Sequence, residues 1–261
     1  MSVAIILPAR LASTRLPNKL LLDRTGKTVL EHTIARAQEA QAAHPGLFTT
    51  IRVACDDHRL IAAARRAGAE AVMTRADHQS GTDRIAEAAE SLKEDIVVNL
   101  QADEPEIAGD RIRVLAELLV SSPEAECATL ATFIFDEATF KNPNVVKVVF
   151  SHYSHKALYF TRAASPFPRE GDSGFSLTFD RDGAARRVYG YHHIGMYAYR
   201  REALLKWVAL KPSPLEKVEK LEQLRALEHG FAMKIGIVDR HVPGIDTPED
   251  YEAFVKRMGH G

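Results

Sequence analysis

The sequence is poor in the features that mark specialised classes of protein. Its 261 residues include one tryptophan and two cysteines, Cys55 and Cys127. Two cysteines are too few for a disulfide framework, and neither has a partner at metal-ligand spacing, so both are predicted to be reduced, buried thiols. No apolar run approaches the about 18 residues that a membrane helix needs, so no partner membrane is expected.

An excess of charge of either sign is also missing. The sequence has 34 Lys and Arg residues and 35 Asp and Glu residues, so its net charge is -1. No nucleic-acid partner is therefore expected, although a local basic pocket for a small polyanion remains open. The first apolar run, Ser2–Leu7, is short and follows no basic residue, unlike a signal peptide. We expect a cytoplasmic protein.

Short β-branched runs alternate with helical periodicity through the first half of the chain. The predicted strands are Ser2–Leu7, Ile51–Ala54 and Asp95–Leu100, and the predicted helices are Val29–Ala40, Asp57–Ala67, Thr82–Leu92 and one around Ile112, Leu115 and Leu119. This order predicts an α/β fold with a mostly parallel central sheet and helices on both faces. Ligands of such sheets bind beyond the carboxyl ends of the strands, which directs attention to the residues after Leu7 and Leu100.

The second half of the sequence is more mixed. Its predicted strands are Val145–Phe150, Ala157–Thr161 and His193–Tyr199, and the polar stretch Arg169–Arg187 is predicted to be a surface excursion or a subunit arm. Ser213 and Thr247 each precede a proline and have an acid three residues later, which is typical of a capped helix start. The helix predicted after Ser213 has an apolar residue at every third position: Leu215, Val218, Leu221, Leu224 and Leu227. Such a stripe winds around the axis, and either a dimer contact or two-sided core burial would explain it.

A cationic segment follows the first predicted strand. It places Arg10, Arg15 and Lys19 in one turn region and contains no glycine, so it is not a Walker loop. A planar guanidinium and a mobile ammonium are the pair of cations that a triphosphate needs. The same composition is equally typical of a basic surface loop with ordinary ion pairs.

Acidic and polar segments offer the complementary chemistry. Asp103 follows the central strand and could hold Mg²⁺ together with phosphate oxygens, or it could simply cap the next turn. Asp246 precedes a capped helix, whose positive end is its simplest partner. The polar run Thr74–Arg84 ends in Ser-Gly-Thr before a helix, which suits a loop facing a base or a phosphate.

Taken together, these segments resemble the 3-deoxy-manno-octulosonate cytidylyltransferase family, also called CMP-Kdo synthetases. The resemblance covers nearly the whole chain and rests on Pro8–Lys19 (PARLASTRLPNK), Thr74–Arg84 (TRADHQSGTDR), Val98–Pro105 (VNLQADEP), Asn142–Val149 (NPNVVKVV), Tyr159–Pro166 (YFTRAASP), Tyr191–Arg200 (YHHIGMYAYR), Pro212–Arg225 (PSPLEKVEKLEQLR) and Pro243–Asp250 (PGIDTPED). It implies transfer of CMP from CTP to the eight-carbon sugar acid Kdo, with release of pyrophosphate. It also implies a Rossmann-like nucleotidyltransferase fold, Mg²⁺ dependence, a homodimer and a place in lipopolysaccharide assembly.

The resemblance further implies roles for individual residues. The CTP site would comprise Arg10, Ser13, Arg15, Lys19, Arg75, Ser80, Gly81 and Arg84, with Arg15 and Lys19 on the phosphates. Asp103 and Asp246 would bind magnesium, and these two acids with Arg15 and Lys19 would form the catalytic set. The sugar acid would meet Gln101, Arg162, Tyr191, His193, Glu222 and Gln223. Residues 1–261 would form one domain, of which about 135–230 would supply the sugar pocket and the dimer contacts.

Three departures from the family pattern qualify this interpretation. Ala102 replaces the usual glycine, and its Cβ could crowd a ligand or demand a negative φ. His192 replaces the usual Lys or Arg, which makes the local charge sensitive to pH. Arg169–Arg187 matches poorly and is assigned no role. Rival interpretations are a cytidylyltransferase for the 8-amino analogue of Kdo or for a sialic acid, and a catalytically silent nucleotide-binding protein.

Overall fold

A computed structural model describes residues 1–169, 171, 176–179, 185–239 and 244–259. In chain order its strands are β1 (Val3–Ala9), β2 (Phe48–Cys55), β3 (Glu70–Met73), β4 (Ile96–Asn99), β5 (Cys127–Ile134), β6 (Lys147–Phe150), β7 (Ala157–Thr161), β8 (Ser176–Phe179), β9 (Ala185–Val188), β10 (Gly190–Arg200) and β11 (Met233–Ile237). Its α-helices are α1 (Val29–Ala43), α2 (His58–Arg66), α3 (Gly81–Ala89), α4 (Gly109–Val120), α5 (Glu137–Lys141), α6 (Arg201–Val208), α7 (Pro214–Glu219), α8 (Gln223–Glu228) and α9 (Pro248–Met258). A 3₁₀ turn spans Lys19–Leu21.

These elements form two compact units. The first comprises Met1–Val120, Met196–Val208 and Val242–Gly261, and the second comprises Ser121–Gly195 and Ala209–His241. Strand β10 therefore contributes its residues 190–195 to the second unit and 196–200 to the first. The expectation of one domain over residues 1–261 stays a prediction.

The sheet of the first unit is parallel except at one side. Strand β1 lies between β2 and β4 and is parallel to both, and β3 continues the sheet in parallel beyond β2. The last residues of β10 pair with β4 in the antiparallel direction. Strand β1 is almost wholly buried because its side chains Val3–Leu7 are apolar in an unbroken run, as expected for a strand covered on both faces. The predicted α/β fold with a mostly parallel sheet is confirmed.

The helix starts of the first unit follow the sequence closely. Thr28, Ser80 and Thr247 each cap a helix, and an acid three residues later closes a capping box in all three cases. The boundaries predicted for the first three helices are correct to within a few residues. Strand β3 was not predicted, because it is only four residues long and is half exposed.

The second unit combines parallel and antiparallel pairs. Strands β11 and β5 are parallel, β5 lies beside β10, and β6 pairs with both β10 and β7. The poorly matching stretch Arg169–Arg187 includes the antiparallel pair β8 and β9, and the remainder of it lies largely outside the described residues. The predicted strands of this half are present as β6, β7 and β10. Strands β5 and β11 were not predicted.

The helix predicted after Ser213 is corrected by the structure. Ser213 does cap a helix with a capping box, but α7 ends at Glu219, and Lys220 adopts a left-handed conformation with φ 56°. A second short helix, α8, begins at Gln223. The break resolves the winding apolar stripe, because Leu221 and Leu224 are buried while Val218 is 81% exposed.

Two further expectations concern thiols and membranes. Cys55 and Cys127 are free and buried, as predicted. Burial raises the pKa of the Cys55 thiol to about 12, and the negative charge of Asp56 adds to this, so the thiol stays protonated at neutral pH. Across the described ranges, no helix combines the length and the apolar character needed to cross a bilayer.

Candidate functional site

The polar segments that follow β1 and β4 leave the sheet at the same edge. Because β4 and β1 run in parallel as neighbours, their carboxyl ends lie side by side, and the Leu100 amide still donates to the Ile6 carbonyl at 3.0 Å. The cationic segment after Ala9 and the acidic segment after Leu100 are thus brought together by the topology. This is the edge at which open α/β sheets bind ligands.

Lys19 is the centre of the polar cluster at this edge. Its Nζ donates to the carboxylate of Asp103 in a very short contact, and to Asp246 Oδ1 at 3.0 Å. Its third hydrogen bond is to the Ile245 carbonyl at 3.1 Å. Arg15 Nη2 also reaches Asp246 Oδ1, at 3.0 Å. Two acids that are 143 positions apart in the chain therefore share one ammonium group.

Backbone contacts hold the two acidic segments against each other. The Ile245 amide donates to the Asp103 carbonyl at 2.9 Å, and Gly244 packs so closely there that an added Cβ would lie 3.1 Å from the same oxygen. The Asp246 amide donates to the Asp250 carboxylate, which also closes the capping box of α9. The start of α9 thus fixes the backbone of Asp246, which agrees with the expectation that this residue lies at the positive end of a helix. The Asp246 side chain contacts Arg15 and Lys19.

A cavity of about 280 Å³ opens beside this cluster. It is lined by Pro8, Arg10, Lys19, Leu20, His78, Gln79, Ser80, Gly81, Arg84, Gln101, Ala102, Asp103 and Asp246. Three cations and two acids thus border a space near the lower end of the size range of small-molecule sites. All of these residues belong to the first unit.

Of the predicted CTP-site residues, five line the cavity and three do not. Arg10, Lys19, Ser80, Gly81 and Arg84 are in the lining; Ser13, Arg15 and Arg75 are outside it. Arg15 joins the cluster through Asp246, but Arg75 has a largely exposed side chain whose Nε lies 3.6 Å from Asp77 and 3.7 Å from Glu87. The structure therefore brings together six of the eight predicted residues, without Ser13 and Arg75.

Arg84 is held rigidly by a residue that sequence analysis missed. Its nearly buried guanidinium pairs with Asp56 Oδ2 at 3.2 Å and donates to Thr74 Oγ1 at 2.6 Å. The other oxygen of Asp56 accepts from the Leu11 amide at 2.8 Å. Asp56 thus ties the cationic segment to the start of α3. Its position directly after a buried strand was the available signal.

His78 and Gln79 also line the cavity without having been assigned individually. Both fall inside the Thr74–Arg84 segment that sequence analysis selected. His78 is almost fully buried and its Nε2 contacts the Glu87 carboxylate of α3 closely. Burial raises the pKa of Glu87, but the hydrogen bonds from His78 and the Arg75 amide outweigh it and leave that pKa below its ordinary value. Glu87 therefore stays charged and anchors this loop.

Ala102, the departure from the family glycine, fits its place. It is buried, lines the cavity and does not belong to the non-glycine residues with positive φ among those described. Its carbonyl accepts from Thr33 Oγ1 at 2.9 Å. The Cβ is therefore accommodated with a negative φ, and the cavity remains open beside it.

Glu104, the residue after Asp103, is buried beside the cluster. Its burial and the charge of Asp103 together raise the pKa of Glu104 to about 8, while Arg111 opposes both. Its Oε2 is buried without a hydrogen-bond partner among the described residues. At neutral pH the Glu104 carboxyl is therefore mostly protonated.

Of the predicted sugar-site residues, Gln101 belongs to the first unit and the other five to the second. Gln101 lines the cavity. Tyr191 lies among aromatic rings, 4.7 Å from Phe150 and 5.5 Å from Phe133 between centroids, and burial raises its pKa. His193 is buried, with Nε2 3.0 Å from Thr129 Oγ1 and its ring packed edge-on against Phe160.

The remaining predicted sugar-site residues surround the break between α7 and α8. Glu222 occupies the N-cap position of α8 without a side-chain cap hydrogen bond, and Gln223 is buried in the first turn. Arg162 follows β7, and its Nε donates to the Glu219 carbonyl at 2.8 Å. His192, the second departure, has a pKa lowered by burial and by the nearby charge of Lys147, so it is neutral at pH 7.

A metal at this site would need ligands from outside the protein. Within the ranges that the structure describes, no three or more His, Cys, Asp or Glu side chains converge in a group suited to a metal ion. Asp103 and Asp246 nevertheless converge on one cationic nitrogen. Mg²⁺ commonly takes one or two carboxylates and completes its shell with phosphate oxygens and water, so the donor set fits this ion when a nucleotide is present.

Comparison with known proteins agrees with this α/β fold. The family model described as "Cytidylyltransferase" matches residues 4–235. A 3-deoxy-manno-octulosonate cytidylyltransferase of Rhodopirellula baltica is 45% identical over 260 residues, covering 99% of each chain. That of Halorhodospira halophila is 43% identical and covers 97% of this chain and 96% of its own.

Solved structures give the same result. The structure of a CMP:2-keto-3-deoxy-manno-octonic acid synthetase complexed with CTP has a TM-score of 0.86 and 35% identity, covering 100% of this chain and 99% of its own. The fold is thus that of a nucleotidyltransferase. The chain belongs to the cytidylyltransferases and, among them, to the 3-deoxy-manno-octulosonate cytidylyltransferase family.

Proposed function

We propose that this protein transfers CMP from CTP to the anomeric hydroxyl of 3-deoxy-D-manno-octulosonate, giving CMP-Kdo and pyrophosphate. The observation that carries the proposal is the Lys19 ammonium shared by Asp103 and Asp246 at the rim of the cavity. The reaction is inferred from family membership, because relatives at 43% and 45% identity are named 3-deoxy-manno-octulosonate cytidylyltransferase. The cavity supplies a site with the required charges.

The CTP triphosphate would bind at the cationic rim. Arg10, Lys19 and Arg84 line the cavity, and Arg15 lies beside it through Asp246. Ser80 and Gly81 begin α3, whose first amides and positive end favour a phosphate group. Ser13 and Arg75 remain proposed ligands on the resemblance alone, since neither lines the cavity as described.

Magnesium would be held by Asp103 and Asp246 together with phosphate oxygens. When bound, the ion would neutralise phosphate charge and lower the pKa of the attacking sugar hydroxyl. For this to occur, Lys19 must exchange at least one carboxylate for a phosphate. Its side chain is 15% exposed at the cavity edge, which leaves room for that exchange.

The residues present favour direct, in-line transfer. A bond forms between the anomeric oxygen of Kdo and the α-phosphorus of CTP, the bond from that phosphorus to the pyrophosphate oxygen breaks, and the hydroxyl proton passes to solvent. Such a reaction depends on alignment and charge neutralisation, which Arg15 and Lys19 would supply on the leaving group. We therefore propose no covalent enzyme intermediate.

For the sugar acid, the residues proposed on the resemblance are Gln101 in the first unit and Arg162, Tyr191, His193, Glu222 and Gln223 in the second. Arg162 suits the sugar carboxylate, and Glu222 and Gln223 suit its hydroxyls. Tyr191 and His193 would contribute through the aromatic cluster and β10. Of these residues, Arg162 has the best supported role, because its guanidinium bonds only neutral carbonyls within the described structure.

A homodimer is part of the proposal. The second unit exposes large apolar side chains, among them Phe167 at 84% and Val218 at 81%. Both lie within the 135–230 region expected to supply dimer contacts. Analytical ultracentrifugation should give a dimer, and V218D should shift it toward monomer if α7 faces the partner. A monomer at every concentration of the unaltered protein would contradict this.

Location and pathway are proposed on the resemblance. We place the reaction in the cytoplasm and in lipopolysaccharide assembly. Detection of the protein in a cytosolic fraction, and loss of Kdo-containing lipopolysaccharide on its depletion, would test both statements.

The direct test of function is pyrophosphate release from CTP and Mg²⁺ with different sugar acids. We expect release with Kdo and much less with its 8-amino analogue or with a sialic acid. A preference for either of those sugars would assign a different cytidylyltransferase activity. Tight CTP binding with no release for any sugar would show a silent nucleotide-binding protein. Labelled protein after incubation with CTP alone would reveal a covalent intermediate and contradict direct transfer.

A further inference from the structure

The backbone amide and carbonyl groups of Arg162 are hydrogen-bonded to two charged side chains of opposite sign. On its amino side, the Arg162 amide donates to Glu219 Oε2 at 2.9 Å. On its carboxyl side, the Arg162 carbonyl accepts from Lys147 Nζ at 2.6 Å. The negative carboxylate thus accepts from the partly positive N–H group, and the positive ammonium donates to the partly negative carbonyl oxygen. Hydrogen bonds that involve a charged group are stronger than those between neutral groups. All three residues belong to the second unit.

Lys147 is a fully buried lysine whose ammonium bonds only carbonyls. Its relative exposure is 0%, and besides Arg162 it donates to the carbonyls of Asn142 at 3.0 Å and Val145 at 2.7 Å. Three N–H donors thus meet three acceptors. Burial lowers the pKa of Lys147, while the negative charge of Glu219 opposes this change. A buried ammonium so saturated fixes the geometry of the segments around it.

Both carboxylate oxygens of Glu219 accept hydrogen bonds from β7 and the residue after it. Its Oε1 accepts from Thr161 Oγ1 at 2.6 Å and from Tyr159 OH at 3.4 Å, while Oε2 accepts from the Arg162 amide. Burial raises the pKa of Glu219, but these hydrogen bonds and the charge of Arg162 outweigh it, so the pKa lies below its ordinary value. The carboxylate is therefore ionised at neutral pH.

The side chain of Arg162 is oriented by carbonyl groups alone. Its Nε donates to the Glu219 carbonyl at 2.8 Å and its Nη1 to the Pro143 carbonyl at 3.0 Å. Among the described residues, no carboxylate lies within ion-pair distance of this guanidinium and its Nη2 has no hydrogen-bond partner. A guanidinium has five N–H donors. Those that remain lie on Nη1 and Nη2, the end of the fork that can take a carboxylate with two parallel hydrogen bonds.

We propose that Lys147 and Glu219 are positioning residues that clamp Arg162 so that its Nη1–Nη2 edge presents to the carboxylate of the sugar acid. This inference rests on the proposed function, in which Arg162 recognises that carboxylate. It adds two charged residues that never touch the sugar but set the affinity for it. The clamp should therefore act on the KM for the sugar acid and leave the KM for CTP unchanged.

The test compares two glutamates of the same helix by steady-state kinetics with CTP, Mg²⁺ and Kdo. E219Q removes the charge that holds the Arg162 amide, and we expect the KM for Kdo to rise about tenfold while the KM for CTP changes less than twofold. The matched control is E216Q. Glu216 pairs with Arg225 and caps α7 without contacting Arg162. E216Q should lower the melting temperature and leave both KM values unchanged.

A double-mutant cycle separates this inference from the proposed function. R162M alone should raise the KM for Kdo by about 30-fold or more, since a charged contact to the carboxylate is lost. In the R162M background, E219Q should change that KM less than twofold, because the clamp acts only through Arg162. If the two effects multiply instead, Glu219 does not act through Arg162 and the inference is wrong.

Different results would show that the proposed role of Arg162 is wrong and that the clamp alone is wrong. A normal KM for Kdo in R162M would remove the proposed role of Arg162 and the clamp with it. A raised KM in R162M with a normal one in E219Q would reject the clamp alone. K147M would take the ammonium donor from the carbonyls of Val145 and Arg162, while that of Asn142 keeps the Val145 amide. K147Q, whose amide can serve both carbonyls, is therefore the second variant. A folded K147Q with an unchanged KM for Kdo would contradict the role of Lys147; should it not fold, E219Q decides.

Discussion

Two lysines show how differently the two units use the same side chain. In the first unit, Lys19 bonds two carboxylates at the edge of a cavity. In the second, Lys147 bonds three backbone carbonyls and is fully buried. Two of the three partners of Lys19 are charged side chains that another ion can replace, and the third is the Ile245 carbonyl. The partners of Lys147 belong to the backbone and cannot be exchanged without unfolding the segments that carry them.

The two lysines differ in whether their charge is available to a reaction. A cation that shares flexible anions at a cavity can move to a phosphate and return, so its energy is available to a reaction. A cation saturated by fixed carbonyls contributes to stability and to the position of its neighbours. The same substitution in the two places should therefore give opposite results for activity and stability.

The largest effect is expected at the acidic partner of Lys19. D103N should reduce turnover by about 1,000-fold, because it removes a proposed magnesium ligand and a charge at the reacting phosphate. Its free energy of unfolding should change by no more than about 1 kcal/mol, since the carboxylate is partly exposed. Pyrophosphate release and thermal melting measure the two quantities.

The control for D103N is D110N, at an exposed acid in the first turn of α4. D110N should keep nearly full activity. Near-normal turnover in D103N would discredit the magnesium assignment, and a collapse of its stability would make the first-unit cluster structural, like that of Lys147.

Removing the shared cation should have the next largest effect. K19M is expected to lower kcat/KM about 100-fold, because the triphosphate loses a charge contact that strengthens as pyrophosphate leaves. Its melting temperature should stay within a few degrees of the original. K19R should recover part of the activity. Full activity in K19M would show that the ammonium serves only to neutralise the two acids.

The same change in the second unit should act on stability. K147M removes one donor from each of the carbonyls of Asn142, Val145 and Arg162. The Asn142 carbonyl keeps the Val145 amide at 3.1 Å, whereas those of Val145 and Arg162 lose this donor, and each buried unpaired group costs about 1–3 kcal/mol. We expect the protein to lose about 3 kcal/mol or more of its free energy of unfolding, measured by urea denaturation. A variant as stable as the original would mean that water or a shifted backbone replaces the lysine.

The smallest effect concerns pH. The hydrogen bond from Arg225 holds the pKa of Glu216 below its ordinary value of 4.5, against the opposing effect of burial. Because the folded pKa is the lower one, the stabilisation is fully present above pH 4.5 and is lost as the pH falls through the folded value. E216Q should thus be about 1 kcal/mol less stable than the original at pH 7. Melting curves from pH 7 downwards should show this difference shrinking below about pH 4; a constant difference would contradict it.

The sequence predicted most of the first unit because local and global signals agree there. Buried β1 is a continuous apolar run. The helices α1, α3 and α9 each begin after a residue with a hydroxyl group that is followed three positions later by an acid. The rule that ligands bind at the carboxyl ends of parallel strands directed the search to the segments of Lys19 and Asp103. Their contact with Asp246 required the family resemblance, since no local pattern links residues so far apart.

The second unit was less predictable for a physical reason. Its important contacts join side chains to backbone groups, as Lys147 and Glu219 do with Arg162, and such contacts leave no periodicity in the sequence. Apolar residues at three-residue spacing suggested one helix, whereas the left-handed Lys220 divides it into two. In the first unit, Asp56 was missed similarly, because its role is a backbone contact with Leu11.

A crystal structure of the protein with CTP and Mg²⁺ would test the shared site of Asp103 and Asp246 directly. We expect one metal ion contacted by both carboxylates, with the Lys19 ammonium moved onto a phosphate oxygen. A nucleotide bound elsewhere, or a triphosphate seated in the cavity while Lys19 still bridges the two carboxylates and no metal touches either of them, would contradict it.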